Sequence, residues 1–136
     1  MNKQKGASLL EVLIALLVVS IGLLGLAGLQ TQSIKSNHSS YLRTQATLLA
    51  HDLSDRMRTS KDATENGAFD TDSTYSEKVA WENLLQTRLG STASSTVEGI
   101  PNSNEFIITI TWDDSRGDIG GPINENPESF SYRMEP

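Results

Sequence analysis

No cysteine occurs in the 136 residues, so disulfides and thiolate metal sites are unavailable and any exported part must be held by its packed core. Histidine is nearly as scarce. His38 and His51 are the only side chains of the chain that titrate near neutral pH in their ordinary state, and they lie thirteen residues apart. No nucleophile elbow, phosphate-cradling glycine loop or HExxH pair is present. The chain therefore reads as a non-enzyme with no cofactor. Basic residues are few across residues 61–136, which carry fourteen acids against five bases. That balance argues against specific nucleic-acid binding, because phosphates need Lys and Arg. Finally, residues 30–60 hold no proline and no glycine, so nothing there interrupts a helix.

What the chain has in abundance is aliphatic sequence near its start. Val12 to Leu29 is eighteen residues without a charge, the length of a membrane-spanning helix. Extended back to Ala7, the segment reaches roughly 35 Å at helical rise, enough for a ~30 Å hydrocarbon core. Before it stands MNKQKG, a short leader with two lysines and a closing glycine. The lysines place this end on the cytoplasmic side and the acidic remainder outside. Glu11 sits inside the first turns of the apolar run. A lone carboxylate there costs a few kcal/mol on insertion scales, so it calls for a partner.

Glycine, a small residue, then Ser-Leu-Leu-Glu-Val-Leu-Ile-Ala-Leu resembles the prepilin signature of type IV pilins and type II secretion pseudopilins. The resemblance implies cleavage by a prepilin peptidase between Gly6 and Ala7, N-methylation of Ala7, and a role for Glu11 in subunit assembly. Most members begin with phenylalanine after cleavage, where this chain would begin with Ala7. LLAHDLSDRMR, residues 48–58, and the apolar run itself also resemble the PilV branch of minor pilins, the type IV pilus modification proteins. That narrower likeness implies a subunit that joins other minor pilins, primes assembly and rides at or near the pilus tip. Its implied partners are the prepilin peptidase, other minor pilins, the major pilin, the inner-membrane assembly platform and, before assembly, membrane lipid. A minor pseudopilin of a type II secretion system is the alternative within the same family. Outside it stand a secretory signal peptide cut near Ala27 or Gly28, a plain signal anchor, and a tethered binding protein in which Glu11 is accidental.

Gly22, Gly25 and Gly28 recur every third residue without forming a GxxxG pair. They either loosen the helix, as a proline does in many pilins, or are small residues tolerated beside lipid.

Beyond the membrane the helical pattern continues. Ile34, Tyr41 and Leu48 fall on one line of a helical wheel, and Leu42, Leu49 and Leu53 on a second. His38, Gln45 and Asp52 lie between, with Arg56 one turn after Asp52 as an ion-pair partner. Two readings stand: two seams, one for the chain's own sheet and one for neighbours, or a single wide stripe with tolerated polar residues.

The rest reads in short pieces. Residues 61–80 are polar and turn-rich, with a turn at Asn66-Gly67. Asp70 and Asp72 share the opening of a calcium loop but lack its glycine and closing glutamate. Residues 81–89 read as a short helix burying Trp81, Leu84, Leu85 and Leu89, stopped by Gly90. A short strand is expected around Val97. The clearest strand is 106–112, with Phe106, Ile108, Ile110 and Trp112 on one face. Residues 113–128 form a long loop in which Asp113, Asp114 and Asp118 read as solvated turn residues rather than a cation site. Residues 129–134 close the sheet, with Phe130, Tyr132 and Met134 on one face.

The expected fold is α+β and type IV pilin-like: a long N-terminal helix, transmembrane then amphipathic, packed on a small antiparallel β-sheet. The expected divisions are a leader at 1–6, the transmembrane half of the helix at 7–29, its amphipathic half at 30–60, and an outer head at 61–136. No metal site is expected.

Overall fold

The structure, a computed structural model, describes residues 8–115 and 127–136. Its spine is α1, Leu9–Thr59, a single 51-residue helix, roughly 77 Å long at helical rise. The sequence supplies it with long unbranched and aliphatic side chains and withholds proline throughout. The helix ends at Ser60, whose N–H donates to the Arg56 carbonyl. Buried Thr64 then turns its hydroxyl back to donate to the Met57 carbonyl at 2.9 Å. That bond serves one of the carbonyls the last turn leaves without an intrahelical donor.

Thr64 belongs to α2, Lys61–Glu65, a single turn of helix. Gly67 follows at φ +80, the left-handed conformation that the Asn66-Gly67 pair predicts. The next helix, α3, spans Ser76–Leu89. It therefore starts five residues before the expected Trp81, and two stretches of the expected polar loop, 61–65 and 76–80, are helical. The reason is visible in the spacing of Lys78, Trp81, Leu85 and Leu89, all buried. Lys78 occupies an apolar-stripe position, so the stripe looks shorter than it is. Leu84, expected to be buried, is half-buried. Gly90, at φ +110, stops α3.

Three strands follow: β1 (Ser94–Gly99), β2 (Phe106–Trp112) and β3 (Glu128–Met134). They form an antiparallel meander in the order β1-β2-β3, with Val97 opposite Ile108 and Ile108 opposite Tyr132. Alternation along β2 sends Ile108, Ile110 and Trp112 inward. Phe106 and Phe130 are on the same face but only half-buried, near the margin of the core. On the outer face the hydroxyls of Thr109 and Ser131 pair across strands at 3.0 Å.

The core forms where this sheet and α3 meet the C-terminal third of α1. Leu42, Ala46, Leu49, Ala50, Leu53 and Met57 supply the helix's share. Ala46 and Ala50, both fully buried, let the facing elements approach the helix closely. The head lies on residues 42–57 of α1 and not on the whole of 30–60. Residues 30–41 contribute nothing to the buried set.

Three polar devices hold the head's parts in place. The Lys78 ammonium, buried beneath Trp81 at 5.2 Å from its ring, pairs with Glu82 and bonds Ser95 Oγ at 2.8 Å. This ties α3 to β1, and the pairing is what makes a buried cation tolerable. Along the outer edge of β1 the Thr71 hydroxyl accepts the Val97 N–H at 3.0 Å and donates to the Val97 carbonyl at 3.3 Å. It occupies the place where a further strand would pair. Arg43 reaches Glu128 at 3.3 Å and joins α1 to the start of β3.

Because α1 carries six buried apolar residues of the core, the head is expected to need its helix. A chain beginning at Gln30 should unfold cooperatively. One beginning at Lys61 should be molten or aggregated, by near-UV circular dichroism and thermal melting. Equal melting of the two would contradict this packing.

Candidate functional site

The apolar half of α1 is where the sequence places function, and the fold leaves it bare. Every large aliphatic side chain from Leu9 to Leu29 is exposed, Leu9 by 84% and Val12, the least, by 47%. α1 is long and apolar enough to cross a membrane. A surface of this kind is stable only in lipid or against other apolar helices.

Glu11 lies in the first turn of α1 with its side chain exposed. Its backbone N–H donates to the Ser8 carbonyl at 2.9 Å. The carboxylate sits favourably near the positive end of the helix dipole, but among the described residues it has no ion-pair partner. Gly6 and Ala7, the expected cleavage pair, and Ala7 as the expected methylation site, lie outside the described residues. Among the described residues the glycines of α1 pack against nothing. A Cβ added at Gly22, Gly25 or Gly28 meets nothing within 4 Å among the described residues.

Farther along, the two lines of the amphipathic half separate cleanly. Leu42, Leu49 and Leu53 are in the core, while Ile34, Tyr41 and Leu48 are 69, 52 and 58% exposed. Half-buried His38, Gln45 and Asp52 run between them, and Arg56 holds Asp52 at 2.9 Å as the spacing predicts. Only the second line belongs to the core; the first faces outward along the whole of its length.

The chemistry-bearing residues stay dispersed. His51 is exposed and leans against the Tyr132 ring, centroids 4.5 Å apart. His38 stands more than three helical turns before it. Asp70 and Asp72 flank an open polar cleft lined also by Gly67, Thr71 and Ser73. Asp113 accepts the Ser115 N–H at 2.9 Å, a local turn bond; Asp118 lies outside the described residues. Among the described residues no three His, Asp or Glu side chains converge. The residues that the sequence reading passed over are Thr64, which bonds the end of α1, and Thr71 and Lys78 of the head's polar devices. Only Lys78 carried a signal: it precedes Trp81, Glu82 and Leu85 by three, four and seven residues.

Residues 1–27 match the family model of the prokaryotic N-terminal methylation motif. No curated protein and no solved structure matches the chain. The motif, the long apolar helix and the three-stranded antiparallel sheet together support a type IV pilin-like protein, a pilin or pseudopilin of α+β fold. Proteins bearing this motif are structural subunits rather than enzymes. The motif implies processing by prepilin peptidase and assembly with other pilins, and the helix beside it indicates membrane anchoring.

Adjacent residues on the exposed and buried lines should respond very differently to charge. Leu48→Asp should change head stability by no more than about 0.5 kcal/mol, as at an exposed position. Leu49→Asp should cost more than about 3 kcal/mol, because it buries an unpaired carboxylate. Urea titration of the chain beginning at Gln30 measures both, and similar losses would contradict the division into a buried and an exposed line.

Proposed function

We propose that the protein is a minor pilin of the PilV type. On this reading it is cut between Gly6 and Ala7, methylated at Ala7, and held in the inner membrane with its head outside. There it joins other minor pilins on the assembly platform to prime a pilus of the major pilin, and it travels at or near the tip. The function served is motility, adhesion or DNA uptake. The observation that carries the reading is a single helix with two occupations. Its first twenty residues are bare and apolar and bear the methylation motif; its last third is the core of a small acidic head. A membrane anchor alone does not require that the span and the core helix be one unbroken rod.

Glu11 is the residue through which assembly acts. Cleavage frees a cationic amine at Ala7, four residues before Glu11. Between chains displaced along the pilus axis, Glu11 of one meets the amine of another. Leaving either charge unpaired in apolar surroundings costs about 3–5 kcal/mol, so the pair selects subunits docked at the correct axial offset.

Loss of residues 1–6 removes Lys3 and Lys5 and takes the formal charge from −6 to −8. Intact mass of the protein from its native host should give a chain beginning at Ala7. A chain beginning beyond Leu26 would mean signal peptidase cleavage and a different function.

Glu11→Val should leave membrane insertion and cleavage intact, since it only makes the helix more apolar, and should abolish incorporation into pili. Immunoblots of sheared pili and of membranes separate the two effects. Recovery of the variant in pili at the wild-type level would overturn the assigned role.

A further inference from the structure

On the membrane-anchored reading, which this inference rests on, α1 runs through three surroundings, and only two of them enforce a helix. In lipid, residues up to about Leu29 must keep every backbone hydrogen bond, because no water is present to replace one. From Leu42 onward the buried face of the helix is locked into the core. Between them lies QTQSIKSNHSS, residues 30–40, where water competes for every backbone group. All of it is exposed except Lys35, His38 and Ser39, which are half-buried.

This stretch is also made of poor helix formers. Thr31, Ser33, Ser36, Asn37, His38, Ser39 and Ser40 are seven of its eleven residues, and all belong to the weaker half of the helix scale. The hydroxyl and amide side chains are weak there for a specific reason: they offer the backbone alternative local hydrogen bonds. Thr31 already directs its hydroxyl to the Ala27 carbonyl at 3.1 Å. The residues after the stretch are richer in Leu, Ala and Arg, and although Thr44, Thr47 and Thr59 make the same hydroxyl bonds to the preceding turn, the core holds that part of the helix. Weak intrinsic propensity thus coincides with the one segment of α1 that neither lipid nor core supports.

We infer that residues 30–40 are a built-in hinge of the membrane-anchored protein: a neck that opens locally and frees the head's orientation from that of the span. Eleven residues cover about 16 Å as a helix and up to about 36 Å extended, so full opening lifts the head by roughly 20 Å without moving the anchor. The head can then turn its exposed Tyr41 and Leu48 side toward partners before the rod is fixed among them.

Hydrogen–deuterium exchange of the full chain in phosphatidylethanolamine–phosphatidylglycerol nanodiscs tests this. Amides of residues 31–40 should exchange at least ~100-fold faster than those of 49–57, with 14–26 protected. Combining Ser33→Ala, Ser36→Ala, Asn37→Ala and Ser39→Ala should slow exchange in the neck about tenfold and leave 49–57 unchanged. Protection of 31–40 within about threefold of 49–57 would overturn the hinge, as would a quadruple variant that slows nothing. Rapid exchange along 14–26 would overturn the membrane reading, and the hinge with it.

Discussion

The backbone of α1 has to satisfy its own hydrogen bonds in whatever medium surrounds it, and the rest of the molecule follows from that requirement. A helix is the one local structure that does so residue by residue, independent of neighbours. It can therefore run from an apolar phase into water and on into a protein core without changing its geometry. A strand cannot, because its bonds lie with other strands. The sheet is accordingly confined to the region beyond residue 93, where β1, β2 and β3 satisfy one another. One element carries both the apolar face from Leu9 to Leu29 and the core face from Leu42 to Met57.

That sharing shapes the head. A three-stranded meander and one short helix have two apolar surfaces but little between them, and α1 fills the gap. Its contribution alternates Leu with Ala, so that Leu49 and Leu53 interdigitate while Ala46 and Ala50 let the sheet and α3 close in. The head has little apolar material to spare, and polar groups take over where it runs short. Lys78, Glu82 and Ser95 occupy the junction of α3 with β1, where a fully apolar pairing would need a larger side chain in place of the lysine. Such a site adds little net stability compared with a well-packed aliphatic group, but removing one member strands the others. Thr71, on the β1 edge, similarly replaces a strand with a hydroxyl.

Most of this was legible in the sequence because most of it is periodic. The apolar run, the seven-residue recurrence of Ile34, Tyr41 and Leu48, and the alternation in FIITITW each report a single repeating geometry. The boundaries of β2 follow directly, and β3 begins only one residue earlier than the pattern suggests, at Glu128, where Arg43 holds it. What escaped was structure held by exceptions to the pattern. Lys78 interrupts the apolar stripe of α3 in composition but not in space, so the helix seems to begin at Trp81. Thr64 and α2 have no periodicity at all; they exist because the end of α1 has carbonyls to satisfy. Glu11 is the opposite case. It was legible because it violates the pattern around it, and a violation inside a regular run carries information that the run itself does not.

That contrast bears on how such a chain recognises its neighbours. Two apolar helices gain little by leaving lipid for each other, since lipid tails are as apolar as leucine. The exposed aliphatics of residues 9–29 therefore favour the membrane or a bundle of like helices almost equally, and they cannot by themselves choose a register. The acidic head works against crowding, because residues 61–136 carry a formal −9 and like-charged heads repel. Selection must come from features that differ between one axial offset and another. In the apolar half of α1 these are Glu11 and the three open glycine sites at 22, 25 and 28. The glycines change how closely a neighbour can approach, which varies smoothly with offset. A charge differs in kind, because its partner is either there or absent. On the proposed reading, shape tolerates a range of offsets and the carboxylate picks one, so a single residue in the first turn of α1 fixes the register of a rod more than seventy ångströms long.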